Sequence, residues 1–346
     1  MELNVVKLGS ATLPAAPTPP VVCTALPGLA SLTYPRHALH DAQCLWVEKN
    51  CYADLWIEII HAKGYEPQAM LPFTVSVDFE GDQWTFFKPS HDELRSLYGI
   101  KVHELTVWRP LLDHAMEHLS AGRLVSIEVD AFWLPDTHGT DYQTKHSKTT
   151  IAINHVDTAR REIAYFHNAG YFLARGEDFQ QLLKIEAAIL ELPLFAELIS
   201  FNAPPVYNPA QRRQASLALM YKQLQFIPSD NPIVKFANRF AVDLPWLQAQ
   251  GLAHYHAWAF AGIRQWGAAH ELTAAWIEWM GNSLPPESQE VSALFRDLSQ
   301  DAKTLILKGA RAVMSKKPFD PQTQLLPAAE KWQRATELLT ALVKSA

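Results

Sequence analysis

Residues 50–64 read NCYADLWIEIIHAKG, and their spacing decides the fold of the first half of the chain. Apolar side chains fall at Tyr52, Leu55, Trp56, Ile59 and Ile60, the i, i+3, i+4, i+7, i+8 pattern of a helix with one face turned to a core. Asn50 is of the type that caps a helix N-terminus, and Gly64 is of the type that stops one. The spacing therefore predicts a helix that carries Cys51 in its first turn.

Working downstream, Ser90 and Glu93 are spaced as a capping box for a short helix ending near Gly99, and residues 102–108 (VHELTVW) suit a strand. Arg109-Pro110 opens a further helix running to Gly122. Three strand candidates follow: RLVSIEVDAFWL from residue 123, KTTIAIN (148–154) and REIAYFH (161–167), the last two joined as an antiparallel hairpin. Helices first and antiparallel strands after them make an α+β arrangement. Beyond about residue 177 helical periodicity dominates, with breaks at FNAPPVYNP (201–209), IPSDNP (227–232), NSLPPES (282–288) and KKPFDPQ (316–322). The expected organisation is an extended Pro/Ala-rich segment over 1–30, an α+β domain over 31–180 and an all-helical domain over 181–346.

Composition narrows the function. The chain has 346 residues, 48% of them hydrophobic, which is ample for a large core. A net charge of −6 argues against a nucleic-acid partner and gives no support to an anionic membrane surface. No run approaches the roughly 20 apolar residues of a membrane span. The N-terminal stretch ATLPAAPTPPVV lacks a basic region followed by an unbroken apolar run, so a secretory signal is not expected. The three cysteines, Cys23, Cys44 and Cys51, do not make a disulfide framework and point to a reducing, cytoplasmic compartment.

A thiol in the first turn of a helix lies at the positive end of the macrodipole, which favours the thiolate. Cysteine enzymes add a histidine to form the ion pair and a polar group to orient it. Cys51, then His146 just before the strand 148–154, then Asn168 just after the strand 161–167, offer that order. The start of one hairpin strand lies beside the end of its partner, so His146 can meet Asn168 or its neighbour His167; which of the two would orient the imidazole stays open. Asn168 is equally an ordinary turn residue. Gln43, Glu48 and Asn50 lie near the thiol in sequence and are candidates for an oxyanion hole or substrate contact, although Asn50 has the capping role to fill. Trp84 and Asp82, within VDFEGDQWTFF, are candidates to shape a cleft for an ammonium group, against a plain reading as a packed Trp beside a solvated acidic loop. Asp141 belongs to LPDTHGTDY (134–142), a polar loop placed to border the site ahead of His146. Cys44 precedes the helix and suits a small packed residue.

The segment CYADLWIEIIHAKG, followed by GRLVSIEVDAFWLP, HSKTTIAI and YFHN, resembles the nucleophile helix and the His and Asp/Asn strands of papain-like domains. The pattern over residues 45 to 175 is similar to the N-terminal domain of the butirosin-biosynthesis acyltransferase and, more distantly, to bacteriocin-processing cysteine peptidases. Over nearly its full length, through Glu48-Lys49-Asn50-Cys51, VDFEGDQWTFFKP, LPDTHGTDY and YFHNAGYF, the chain resembles the bacterial family called domain of unknown function 1839. The family pattern places Asp after the hairpin where this chain has His167-Asn168.

The resemblance implies a papain-like catalytic domain followed by a helical one. It also implies a cysteine-dependent acyltransferase that takes an aminoacyl or peptidyl group from a carrier-protein thioester to an amine through a Cys51 acyl-enzyme. No cofactor is expected in the protein itself, only the phosphopantetheine arm of an acyl carrier protein. An amino acid:carrier-protein ligase of the same pathway is a further expected partner. Two other readings stay open, a cysteine hydrolase (thioesterase, amidase or peptidase) with the same site, and a non-catalytic module that binds carrier protein.

Overall fold

The computed structural model describes residues 21–185, 194–201 and 208–346. The extended segment expected over 1–30 lies outside the described residues up to residue 20, as do parts of the helical region expected from 177 and of the break at 201–209.

The order of elements is β1 (Val22–Thr24), α1 (Cys51–Ala62), α2 (His91–Tyr98), β2 (Ile100–Glu104), α3 (Leu111–Ser120), β3 (Leu124–Asp130), β4 (Lys148–Asp157), β5 (Glu162–His167), β6 (Gly170–Arg175), α4 (Glu177–Leu182) and β7 (Ala196–Phe201). Six helices follow: α5 (Pro209–Gln223), α6 (Pro232–Gln250), α7 (Leu252–Ala261), α8 (Ile263–Met280), α9 (Ser288–Ser315) and α10 (Pro321–Ser345). The fold is α+β, with an antiparallel sheet and a helical C-terminal region. No helix among the described residues is long and apolar enough to cross a membrane.

The seven-stranded sheet runs β2-β7-β3-β4-β5-β6, with β1 pairing the far end of β4. The alternation read from the sequence assigns the two faces. Leu124, Ala152, Ala164 and Phe166 join the core that holds α1, while Val125, Ile127, Ile151, Ile163 and Tyr165 join a second core with α3 and α4. The expected domain boundary near residue 180 cuts through the sheet, because β7 inserts between β2 and β3. Its only apolar cue, LISF, is too short to stand out between helices.

Helix α1 is wrapped rather than laid on a surface. A 3.6-residue pattern implies a polar face turned to water, yet Leu55, Trp56, Ile57, Ile59 and Ile60 are all fully buried, and so are Asp54 and Glu58. β4, β5 and β6 cover one side and the segment 67–76 another, and that segment in turn packs on α5 and α8, within one continuous apolar core. Contacts along that seam are close. The backbone N–H groups of Leu45 and Trp46 donate to the Glu271 carboxylate of α8 at 2.7 and 3.1 Å, and Trp46 Nε1 donates to Ser299 Oγ at 2.9 Å. A Cβ at Gly267 would lie 2.4 Å from the Trp46 ring, so glycine is required there.

Candidate active site

Asn50 caps α1 as its residue type suggests. Its side chain accepts from Ala53 N at 2.8 Å and donates to the Phe87 carbonyl at 3.0 Å, which ties the helix start to the following segment. Cys51 is therefore the first residue of a capped helix and is partly exposed. The other thiols differ. Cys23 is buried on β1 against Ser120 Oγ at 3.0 Å, and Cys44 donates to the Ala38 carbonyl at 3.5 Å, with burial pushing its pKa up. A raised thiol is a poorer nucleophile at neutral pH.

Just beneath Cys51, a buried ionic network fixes the first turns of α1. The His40 ring lies between Asp54, at 3.0 Å, and Glu58, all three with fully buried side chains. Tyr34 Oη and His37 N donate to Glu58 at 2.8 and 3.0 Å, and Asp54 accepts Lys49 N at 2.7 Å. The buried Lys49 ammonium is held by the carbonyl of Leu39. Burial alone would lower the His40 pKa, but hydrogen bonds to the two carboxylates outweigh it and raise it. Burial pushes Glu58 up, and its bond to His40 brings it below the usual carboxylate range. The His40 ring is thus held between two carboxyl groups, an arrangement that specifies one geometry.

Helix α1 packs against β4 and β5, which begin and end respectively at one end of the sheet. Tyr52 lines the same cavity, about 330 Å³, as Thr150 of β4 and Glu128 of β3. At that end lie two His–Asp pairs. His146, largely exposed, bonds Asp130 Oδ2 through Nδ1 at 2.5 Å, and its ring stacks on Phe132 with centroids 4.5 Å apart. His167 is buried, with Nδ1 to Asp136 at 2.5 Å and Nε2 to Thr149 Oγ1 at 2.8 Å. Among the described residues, no hydrogen bond joins the Cys51 thiol to an imidazole. Catalytic contacts are often long before substrate binds.

The hairpin does bring His146 and His167-Asn168 to one end of the sheet, but the carboxylate at His146 is Asp130. Asn168 opens the two-residue turn between β5 and β6 at φ 41°, in the left-handed region that asparagine tolerates. That geometry accounts for its residue type. Of the remaining candidates, Gln43 and Asp82 are exposed. Asp141 accepts from Ser147 Oγ at 2.5 Å and so fastens the loop that carries His146. Trp84 does not shape a cleft: it is 2% exposed and stacks on Trp266 at 5.6 Å, inside the core.

Glu48 is at the mouth of a second cavity, about 560 Å³, which it shares with Trp46, Phe260 and Arg264. Burial, then the charge of Asp54, raises the Glu48 carboxyl, with His167 and Arg264 acting the other way. Arg264, at the start of α8, feels the charges of Asp54, Glu48 and Cys51, although burial lowers its pKa overall. Sequence reasoning missed it. The available signal is a lone cationic residue in the aromatic-rich stretch LAHYHAWAFAGIRQW. Asp130 was legible as the polar residue that ends the β3 alternation, and Asp136 as the acid of LPDTHG.

Sequence models of the DUF1839 N-terminal domain and the DUF1839 C-terminal domain match residues 35–201 and 209–341. The chain belongs to the DUF1839 family. The boundary between the two models falls after β7, where the sheet is complete. No curated protein matches the chain.

Proposed function

We propose that the protein is a papain-like cysteine acyltransferase that accepts an aminoacyl or peptidyl group from a carrier-protein thioester and passes it to an amine. The observation that carries this reading is Cys51 itself, a partly exposed thiol on the first turn of a side-chain-capped helix. The chain also holds an imidazole fixed by a carboxylate, His146 on Asp130. An imidazole fixed by a carboxylate and a thiol at a helix N-terminus are the parts from which cysteine acyl transfer is built.

In the proposed reaction the Cys51 thiolate attacks the thioester carbonyl, the carrier's pantetheine thiolate leaves, and His146 protonates it. An amine then attacks the Cys51 thioester, forming the amide and returning the thiol. Asp130 orients the imidazole. The phosphopantetheine arm belongs to the carrier, so the enzyme needs no cofactor of its own, and an amino acid:carrier-protein ligase would supply the loaded carrier in the cytoplasm. The resemblance to the butirosin-biosynthesis acyltransferase supports transfer over hydrolysis.

Intact-mass spectrometry after mixing the protein with an aminoacylated carrier protein tests the reading. The wild type gains the acyl mass and Cys51→Ala does not. Equal loading of both variants removes Cys51 from the chemistry. Release of free amino acid as fast as loading, with no acceleration by any amine, replaces the transferase with a thioesterase.

A further inference from the structure

The cavity of about 560 Å³ on the Glu48 side of the thiol joins apolar walls to two opposite charges, an exposed carboxylate and a half-buried guanidinium. Its walls are apolar, from Trp46, Val47, Phe260 and Ile306. Into it project one carboxylate, Glu48, and one guanidinium, Arg264. Among the described residues neither makes an ion pair, and the buried Nε of Arg264 has no hydrogen-bond partner. The guanidinium lies 3.6 Å over the Phe260 ring, which fixes its plane. A guanidinium stays charged and offers a planar fork matched to a carboxylate. Lys303 holds its ammonium over the Trp46 ring, 4.6 Å from its centroid, at the same cavity.

We propose that this cavity binds a free α-amino acid with an apolar side chain, its carboxylate on Arg264 and its ammonium on Glu48, as the acceptor in acyl transfer. The assignment of the acceptor rests on the Cys51 reading; the binding does not. Arg264 and Lys303 draw an anionic group, which alone would leave Glu48 unpaired, and a simple cation would meet Arg264. Only a ligand with both charges on adjacent groups satisfies the two at once, and the aromatic and aliphatic walls take the side chain. Both residues feel the site around Cys51: the thiol is among the charges acting on Arg264, and Glu48 is three residues before it. In the transfer, the ammonium gives one proton to the Glu48 carboxylate, and the amine attacks the Cys51 thioester. The C–N bond forms, the C–S bond breaks, and the second proton goes to the departing thiolate.

The test is calorimetric titration of the full-length Cys51→Ala protein, which forms no acyl-enzyme, with L-leucine and L-phenylalanine. Saturable binding of at least one is expected. Isopentylamine and 4-methylpentanoate, which each lack one charge, should bind at least about 10-fold more weakly, the scale of a lost charge-assisted pair. Arg264→Gln and Glu48→Gln should weaken binding by a similar factor. Arg264→Lys, which keeps the charge and loses the fork, should weaken it less, and melting curves would identify any variant that has lost its fold. No binding of either amino acid, or equal binding of 4-methylpentanoate, overturns the assignment while leaving Cys51 loading by carrier protein to stand or fall separately. Loading without amino-acid binding would mean a different acceptor site.

Discussion

Replacing His40 by leucine should destabilise the protein by as much as a large aliphatic truncation in the same core layer. The substitution keeps the side chain apolar and of roughly similar size, so cavity effects are small. It removes the imidazole that bridges the Asp54 and Glu58 carboxyl groups, whose side chains have no exposure to water. Breaking a buried pair by removing one member costs about 3–5 kcal/mol, because the charge left behind has no solvent. Two carboxylates are left here, each with residual donors: Lys49 N on Asp54, and Tyr34 Oη with His37 N on Glu58. Those donors keep the cost within that range. At about 2 °C per kcal/mol for a chain this long, the melting temperature should fall by roughly 6–10 °C. A urea titration of wild type, His40→Leu, Glu58→Gln and the double variant gives the coupling directly. Glu58→Gln should cost less in the His40→Leu background than in the wild type, since one stranded charge is gone. The pH dependence has two signs. Because the folded His40 pKa is raised, its contribution is complete below the unfolded histidine value and fades as pH rises through the folded one. Because the Glu58 pKa is lowered, its contribution is present above the unfolded value and fades as pH falls through the folded one. His40→Leu within about 1 kcal/mol of wild type, with additive behaviour in the cycle, would refute the ionic reading of this network.

Three further outcomes are expected. Asp130→Asn should slow acyl loading of Cys51 by roughly 10-fold or more while leaving the melting temperature within about 1–2 °C, because the Asp130–His146 contact is solvent-exposed; unchanged loading kinetics would remove Asp130 as the orienting group. Asn168→Gly should be nearly neutral and Asn168→Ala should cost about 1 kcal/mol, as a left-handed turn position requires, and a steep loss of loading in both would instead favour Asn168 as a partner of the imidazole. His270 is fully enclosed, and burial lowers its pKa to about 4 despite the Trp266 carbonyl at 2.8 Å. The unfolded chain takes up this proton first as pH falls from 6.5, so the fold should lose about 3 kcal/mol between pH 6.5 and 4, and His270→Asn should flatten that part of the stability profile if the assignment holds.

The local signals were legible because they are self-contained. The α1 pattern, its Asn50 cap, the Ser90–Glu93 box and the β4–β5 hairpin each depend on residues a few positions apart, and each appears where the spacing predicts it. What the sequence hid depends on distant partners. Asp54 and Glu58 sit on the side of α1 that periodicity assigns to water, and they are buried only because His40, Tyr34 and Lys49 fold back over them. Trp84 lies in an acidic loop by sequence and in the aromatic core by structure, since Trp266 reaches it from α8. β7 joins the sheet from beyond the expected boundary because its pairing is with β2 and β3, about 70 to 100 residues upstream.

The cap of α1 is shared across the seam, with Asn50 Nδ2 also facing Gln265 Oε1 at 3.4 Å, one residue after Arg264. The segment leading into α1 is clamped by Glu271, two turns further along the same helix. That segment carries Trp46, Val47 and Glu48, so α8 positions one wall of the cavity and supplies the opposite charge of the other. The segment that leads into α1 cannot shed the C-terminal half without losing the Glu271 and Ser299 partners of Leu45 and Trp46. The two family segments therefore share one apolar core, and the guanidinium at the cavity beside the first comes from the second.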